Sequence, residues 1–379
     1  MSQTKFKELN MNAWQSKMTG IVDGHVHMGP SAEEAVVLDI QKAIGVDKTV
    51  LVSIQNPADG SGLPQSLYMK ARHPDRFYVF AGLNHGEKLS EGRVRTPSLV
   101  EQLESFVAMG CDGIKMIEGK PTSRQMMNIP VTDAYFADYW ARVEELSTPI
   151  VWHVNDPEEF WNPELLPAWA RKQGWGYGPN DVKKEQLYAE VGEVLARHPK
   201  LRIVFAHFYF LSADLPRAAQ FFDAHPTVHF DLTPGVEMLY NMSRNPDATR
   251  AFFLKYADRI VFGTDIMSRN TIEEAIFRAG IVFRWLESED TFRIPKGADF
   301  LLGQPEDGIV HGLALPDEVL TKIYHGNITR LAGAAPRALD VGRAIAECTR
   351  IGAIAQGMSN TPAEDTEALL VARKLEALA

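Results

Sequence analysis

Two histidines one residue apart, His25 and His27, end the first extended run of this chain, Val-Asp-Gly-His-Val-His. On an extended backbone side chains alternate, so residues i and i+2 face the same way and both imidazoles can reach one ion at about 2.0–2.1 Å. Alone the pair is weak, because any alternating strand can carry it. Three more polar residues end apolar runs in the same manner: His153 after TPIVW, His207 after LRIVFA and Asp265 after RIVFGT. Burying an unpaired imidazole or carboxylate costs free energy. A shared divalent cation removes that cost and accounts for the residue types, neutral His and ionised Asp. The other histidines read as structural. His73, His198 and His225 precede prolines at helix ends, His229 lies within a strand, His85 follows the third strand and His311 falls in a late loop.

For these residues to meet, the strands that carry them must be neighbours. From residue 20 onward, β-branched runs alternate with helical stretches, the rhythm of parallel βα units. Strands are expected at 20–27, 48–54, 77–83, 113–118, 148–156, 201–207, 227–233 and 259–265. Helices are expected near 32–44, 63–72, 97–109, 133–146, 184–197, 213–224, 247–256 and 271–286. Thr96 and Pro97 supply a start signal for the third helix. Eight units in order predict an α/β fold, a (β/α)8 TIM barrel, whose strand C-termini point into one active-site mouth. The expected organisation is a lead-in over 1–19, a barrel over 20–334 and a C-terminal helical extension over 335–379. The second tail helix is expected to start at the capping box Thr361-Pro362-Ala363-Glu364.

Composition narrows the function further. The chain has 379 residues, 45% of them hydrophobic, and a net charge of −10 that is concentrated in no block. Nucleic-acid binding is not expected, since it needs a concentrated basic surface. Two cysteines, Cys111 and Cys348, cannot make a disulfide framework. No apolar run is long enough for a membrane span, and the first residues lack the apolar core of a secretory signal. A cytoplasmic protein acting on a small molecule is the expectation, with a homo-oligomer, a dimer first, as its assembled form.

Taken in order, VDGHVH (Val22–His27), WHVNDPEEFW (Trp152–Trp161), RIVFAH (Arg202–His207), VFGTD (Val261–Asp265) and HGNITRLAG (His325–Gly333) resemble the amidohydrolase superfamily. The similarity covers residues 20–333 and is greatest to the branch of metal-dependent hydrolases and decarboxylases related to aminocarboxymuconate-semialdehyde decarboxylase. The resemblance implies that His25, His27, His153 and Asp265 hold one metal ion. It implies a proton-exchanging role for Asp265, and for His207 either a second metal or a place beside the first. Lys115, in strand four, matches the position region of a bridging carboxylated lysine in two-metal relatives. A substrate-anion contact and a structural role stay open for it, and Glu118 is the alternative strand-four contact.

A zinc ion, with manganese as the alternative, would lower the pKa of water toward 7 and polarise a carbonyl. Asp265 and His207 would then move protons. That scheme fits hydrolysis of a small anionic amide, ester or lactone. The alternative is non-oxidative decarboxylation of a small aromatic or unsaturated acid, with Asp265 or His207 delivering a proton to carbon. Arg124, Lys120 and Lys115 are available for a carboxylate, and Trp152, Trp161, Tyr177 and Tyr209 for a flat ring. The aromatic insertion after strand five is the expected lid, and the 121–130 loop a second wall.

Overall fold

Short runs of Val, Ile and Phe form one parallel sheet because each is long enough only for a strand and is buried on both faces. The computed structural model describes residues 14–29, 34–56, 58, 60–234, 237–294, 309–359, 362 and 366–378. The strands are β1 (Val22–His27), β2 (Lys48–Val52), β3 (Phe77–Gly82), β4 (Gly113–Gly119), β5 (Ile150–Val154), β6 (Ile203–Phe205), β7 (Val228–Asp231), β8 (Ile260–Val261) and β9 (Ile266–Met267). They are ordered β8-β7-β6-β5-β4-β3-β2-β1-β9. The expected eighth strand is split: β8 pairs with β7, and β9 pairs with β1. Between the halves Gly24 N–H donates to the Phe262 carbonyl at 2.9 Å, which closes the sheet into a barrel. A Cβ on Gly24 would lie 2.8 Å from that carbonyl oxygen, so the closure needs glycine there.

Alternating strand residues (Val22, Val50, Val52, Phe80, Val151, Val204) fill the barrel axis, with Ile328 and Leu331 packed against them. The opposite strand faces pack on the helices. These are α1 (Glu34–Ile44), α2 (Leu63–Arg72), α3 (Leu99–Met109), α4 (Pro121–Met127), α5 (Ala137–Glu145), α6 (Lys184–Arg197), α7 (Leu215–Ala224), α8 (Pro246–Lys255) and α9 (Ile272–Glu287). The start of α3 differs from expectation: Ser98 caps it in a capping box with Glu101, and Gly110 ends it at φ 97. The expected 121–130 loop is largely α4, entered through Pro121 at its first turn. The start of the α1 helix expected at 32 and 33 lies outside the described residues.

Beyond the barrel, α10 (Asn327–Ala332) is followed by the extension, α11 (Val341–Ser359) and α12 (Glu367–Glu376). Helix α12 begins later than expected, capped by Thr366, whose side chain accepts from Leu369 N–H. Positions 361, 363 and 364 of the expected capping box lie outside the described residues. Helix α12 buries Ala368, Val371 and Leu375 and packs on α11 and α2, so the extension covers part of the barrel wall. At the barrel's base, the Lys70 ammonium sits 2.5 Å from Asp112, both side chains fully buried. Asp112 also accepts from the backbone N–H groups of Val79 and Arg337, each at 2.8 Å. No helix among the described residues is long and apolar enough to cross a membrane.

Candidate metal centre and active site

At the C-terminal end of β1, His25 Nε2 lies 3.2 Å from His27 Nε2. Asp265 Oδ1 lies 3.3 Å from His27 Nε2 and 3.9 Å from His25 Nε2. Ligand atoms bound tetrahedrally at about 2.0–2.2 Å from one zinc ion stand roughly 3.3–3.6 Å apart. The three atoms therefore have the chemistry and spacing of a divalent-ion site, and they form a potential metal-holding group. Asp265 is aimed by the break in the eighth strand, where its backbone turns left-handed at φ 54. Arg278 anchors it from α9, donating to the Asp265 carbonyl at 2.6 Å and standing 3.4 Å from Oδ2. Burial alone would raise the Asp265 carboxyl. The hydrogen bond and charge of His27, with His207 and Arg278, outweigh burial and hold it well below the usual carboxylate range.

Asp231, at the end of β7, sets the state of two histidines, and the sequence reading passed over it. His25 Nδ1 lies 2.8 Å from Asp231 Oδ2. Burial works against ionisation, but the charge and hydrogen bond of His25 bring this carboxyl down to about 2, so it only accepts. His25 Nδ1 must then carry its proton, which leaves the Nε2 lone pair facing His27 and Asp265. The Thr233 hydroxyl gives its single proton to Asp231 Oδ1 at 2.6 Å. His207 Nδ1, 3.0 Å from that hydroxyl oxygen, is therefore the donor, and its Nε2 is likewise free. Burial pushes both rings down, His25 to about 3 and His207 to about 4, which favours the neutral form that binds a cation. A carboxylate behind a ligating histidine fixes its tautomer and raises its basicity. Asp231→Asn is expected to weaken divalent-ion affinity about 10- to 100-fold. Calorimetric titration with zinc and manganese measures this, and unchanged affinity would remove Asp231 from the site.

His153 stands beside this group rather than within it. Its ring is 4.8 Å from that of His207, but Nε2 is directed at the Asn155 carbonyl (3.0 Å) and Asp156 Oδ1 (3.3 Å). Asp156 is in turn gripped by Lys120 at 2.5 Å and by the Tyr177 hydroxyl at 2.5 Å. Three of the four expected ligands thus converge in the structure.

His207 follows β6 on an uncommon backbone. His207, Phe208, Tyr209 and Phe210 have φ of 55, 55, 56 and 52. Four consecutive non-glycine residues therefore wind left-handed, at roughly 1–2 kcal/mol each. Packing and hydrogen bonds hold the turn. His207 N–H donates to Asp231 Oδ1 at 2.8 Å, the Tyr188 hydroxyl donates to the Tyr209 carbonyl at 2.9 Å, and Phe208 packs on Phe230 and Phe252.

In β4, Lys115 and Glu118 are three apart and would point to opposite faces of a regular strand. The register of β4 on β5 gains a residue between Met116 and Gly119, and such a bulge re-aims side chains. Both residues consequently line one pocket. Lys115 Nζ lies 3.1 Å from His25 Nε2, and burial lowers its pKa to about 8. Glu118 is bound to His85 Nε2 at 2.7 Å, so His85, read as structural, shares the wall of that pocket.

The aromatic and arginine expectations need correction. Trp152 is fully buried, stacked on Phe205 and packed against Trp140 on the outer face of β5. It is adjacent to His153, so alternation sends it away from the mouth. Tyr209 is enclosed by Phe205, Phe221 and Tyr188. Neither ring has a face left for substrate. Arg124 is turned to Glu190 of α6 at 3.2 Å. Trp161 packs on Tyr177 in an aromatic cluster that the post-β5 insertion builds for itself. Tyr177 reaches the site only through Asp156, and Lys120 lies over the Trp175 ring at 4.4 Å.

A closed parallel barrel with two histidines and an aspartate at its mouth defines a metal-site class of TIM-barrel protein. Residues 54–333 match the family model described as amidohydrolase, and the chain belongs to that family. No curated protein matches the sequence. Among solved structures, a TIM-barrel protein of Bordetella bronchiseptica is 15% identical with a TM-score of 0.51, over 86% of this chain and 99% of that one. The 2,6-dihydroxybenzoate decarboxylase of Rhizobium is 16% identical with a TM-score of 0.50, over 83% and 98%. The 5-carboxyvanillate decarboxylase of Sphingomonas paucimobilis is 10% identical with a TM-score of 0.50, over 83% and 99%. At these identities the likeness establishes the shared fold.

Proposed function

We propose that this protein is a metal-dependent, non-oxidative decarboxylase of a small aromatic or unsaturated carboxylic acid. The observation that carries the reading is the buried Lys115 amine beside the ligand atoms, 3.1 Å from His25 Nε2. A cationic or donor group at that point suits a substrate carboxylate held beside the ion, the group that decarboxylation removes, whereas in hydrolysis of an anionic amide, ester or lactone it would serve binding alone. The two decarboxylases of the same fold support this choice, while the family's own description favours hydrolysis.

His25, His27 and Asp265 would hold the ion, with His153 as the fourth ligand once its ring turns from Asp156. When bound, zinc or manganese supplies a Lewis acid that anchors substrate oxygens and offsets their charge. Lys115 donates a hydrogen bond to the substrate carboxylate. His207, whose Nδ1 donates to Thr233, presents its Nε2 lone pair, which takes a proton from solvent water and passes it to the carbon that loses CO2. Asp265, ionised, offsets the positive charge on His207 while it carries that proton. The carbon–carboxylate bond breaks, its electron pair returns to the ring or chain, and the proton replaces CO2.

Metal-loaded protein should be assayed with carboxylated phenols and with lactones in ¹⁸O-labelled water. Release of CO2 with no label in the organic product is expected. Lactone opening with label incorporation and no CO2 would instead establish the hydrolase.

A further inference from the structure

Away from the β1 histidines, the insertion after β5 and the segment after β7 bury acceptor oxygens that no donor serves. Glu237, in the segment after β7, is 7% exposed, and its Oε2 has no hydrogen-bond partner among the described residues. Glu159 lies in the short turn Glu158–Trp161 that opens the insertion, and its Oε2 is likewise buried and unpartnered. Burial pushes the Glu237 carboxyl up to about 8, and the negative charge of Glu159 is the next largest influence, in the same direction. Lys184, at the start of α6, counters it by less than Glu159 adds, and its ammonium is paired with Glu158 at 3.2 Å. Asn155 supplies a third acceptor from the end of β5. It is fully buried, and its Nδ2 donates to the Lys184 carbonyl at 3.2 Å. A carbonyl can only accept, so the amide edge left over is the oxygen, and that Oδ1 has no partner. A buried acceptor without a donor bears its full desolvation penalty, and a charged one bears more.

We propose that Glu159, Glu237 and Asn155 form a second cation site, for a hard divalent ion of the calcium type. Such ions take carboxylate and amide oxygens and tolerate irregular geometry. Two carboxylates balance the charge of one divalent ion. The donor set is all oxygen, unlike the imidazoles of β1, so the two sites select different metals. The ion would tie the aromatic insertion to the segment after β7 and fix two walls of the mouth, with no part in the chemistry at the β1 histidines.

Calorimetric titration of calcium into the zinc-loaded protein tests this, and one equivalent is expected to bind. Glu237→Gln and Glu159→Gln should each weaken that binding tenfold or more, since each removes a charge with little change of volume. His25→Ala and Asp265→Asn, which disable the first site, should leave calcium affinity within twofold. Each variant is checked for a cooperative melting transition. Absence of calcium binding, or binding that survives both glutamine variants, overturns the inference. So does calcium binding lost in both first-site variants, which would put the ion at the β1 histidines. A buried carboxyl with a raised pKa penalises the fold as pH climbs toward that value. If stability falls between pH 5 and pH 8 by the same amount with and without calcium, a proton serves the pair and the inference fails.

Discussion

Exchanging His25 for alanine is expected to weaken divalent-ion binding about 100- to 1,000-fold and to abolish turnover. A four-ligand zinc site contributes ~10–16 kcal/mol; each ligand carries roughly a quarter of that, and ~1.4 kcal/mol is tenfold. His25 is the most constrained of the converging residues. Its side chain is fully buried, Nδ1 is committed to Asp231, and Lys115, His27 and Asp265 all approach Nε2. Metal analysis after dialysis and calorimetric titration read the effect. Because the ring also packs within the barrel, Asp265→Asn provides a near-isosteric companion that loses charge but little volume. Full metal occupancy in both variants would refute the site.

The second large effect lies at the opposite end of the barrel. Lys70→Met leaves the Asp112 carboxylate buried without its ammonium partner, and breaking such a pair costs about 3–5 kcal/mol. Asp112 joins β3, the start of β4 and the segment after α10 through Val79 and Arg337, so the loss should appear as global destabilisation in denaturant melts. Burial already holds the Asp112 carboxyl above its ordinary value, with Lys70 the largest opposing influence. Without Lys70 the shift grows. A carboxyl raised in the folded state is favoured at low pH and penalised as pH climbs toward its folded pKa. The variant should therefore lose less stability at pH 5 than at pH 8. A loss below about 1 kcal/mol, or one independent of pH, would contradict this account. The melts of Lys70→Met should leave metal affinity unaffected, which separates the base of the barrel from its mouth.

The parts of the site that follow strand alternation were legible in the sequence. His25 and His27 at i and i+2, and the βα rhythm that brings Asp265 beside them, needed only periodicity. The same rule also excluded Trp152, because a neighbour of an inward histidine must point outward. Reading it as a substrate contact weighed residue type above position. Asp231 was equally visible as an acid ending a buried run, like Asp265, but nothing in one sequence says that a second carboxylate stands behind the ligands. Lys115 and Glu118 share a wall because of a bulge in β4, which pairing with β5 reveals and composition does not. Tyr209 was beyond reach, since its burial depends on a backbone turn that HFYF does not encode locally. Pairings such as Arg124 with Glu190, across 66 residues, are likewise set by packing of whole helices.

That reversed screw at residues 207–210 carries a consequence for the order of assembly. Isolated from the barrel, a His-Phe-Tyr-Phe peptide has no reason to wind against its chirality. Its shape is borrowed from aromatic neighbours on β7, α6 and α8, and from one aspartate on the adjoining strand. His207 therefore reaches its place beside the β1 histidines only when those remote pieces have docked. The proposed proton route depends on that docking, and a chain in which it is incomplete would present the β1 histidines without His207 positioned beside them.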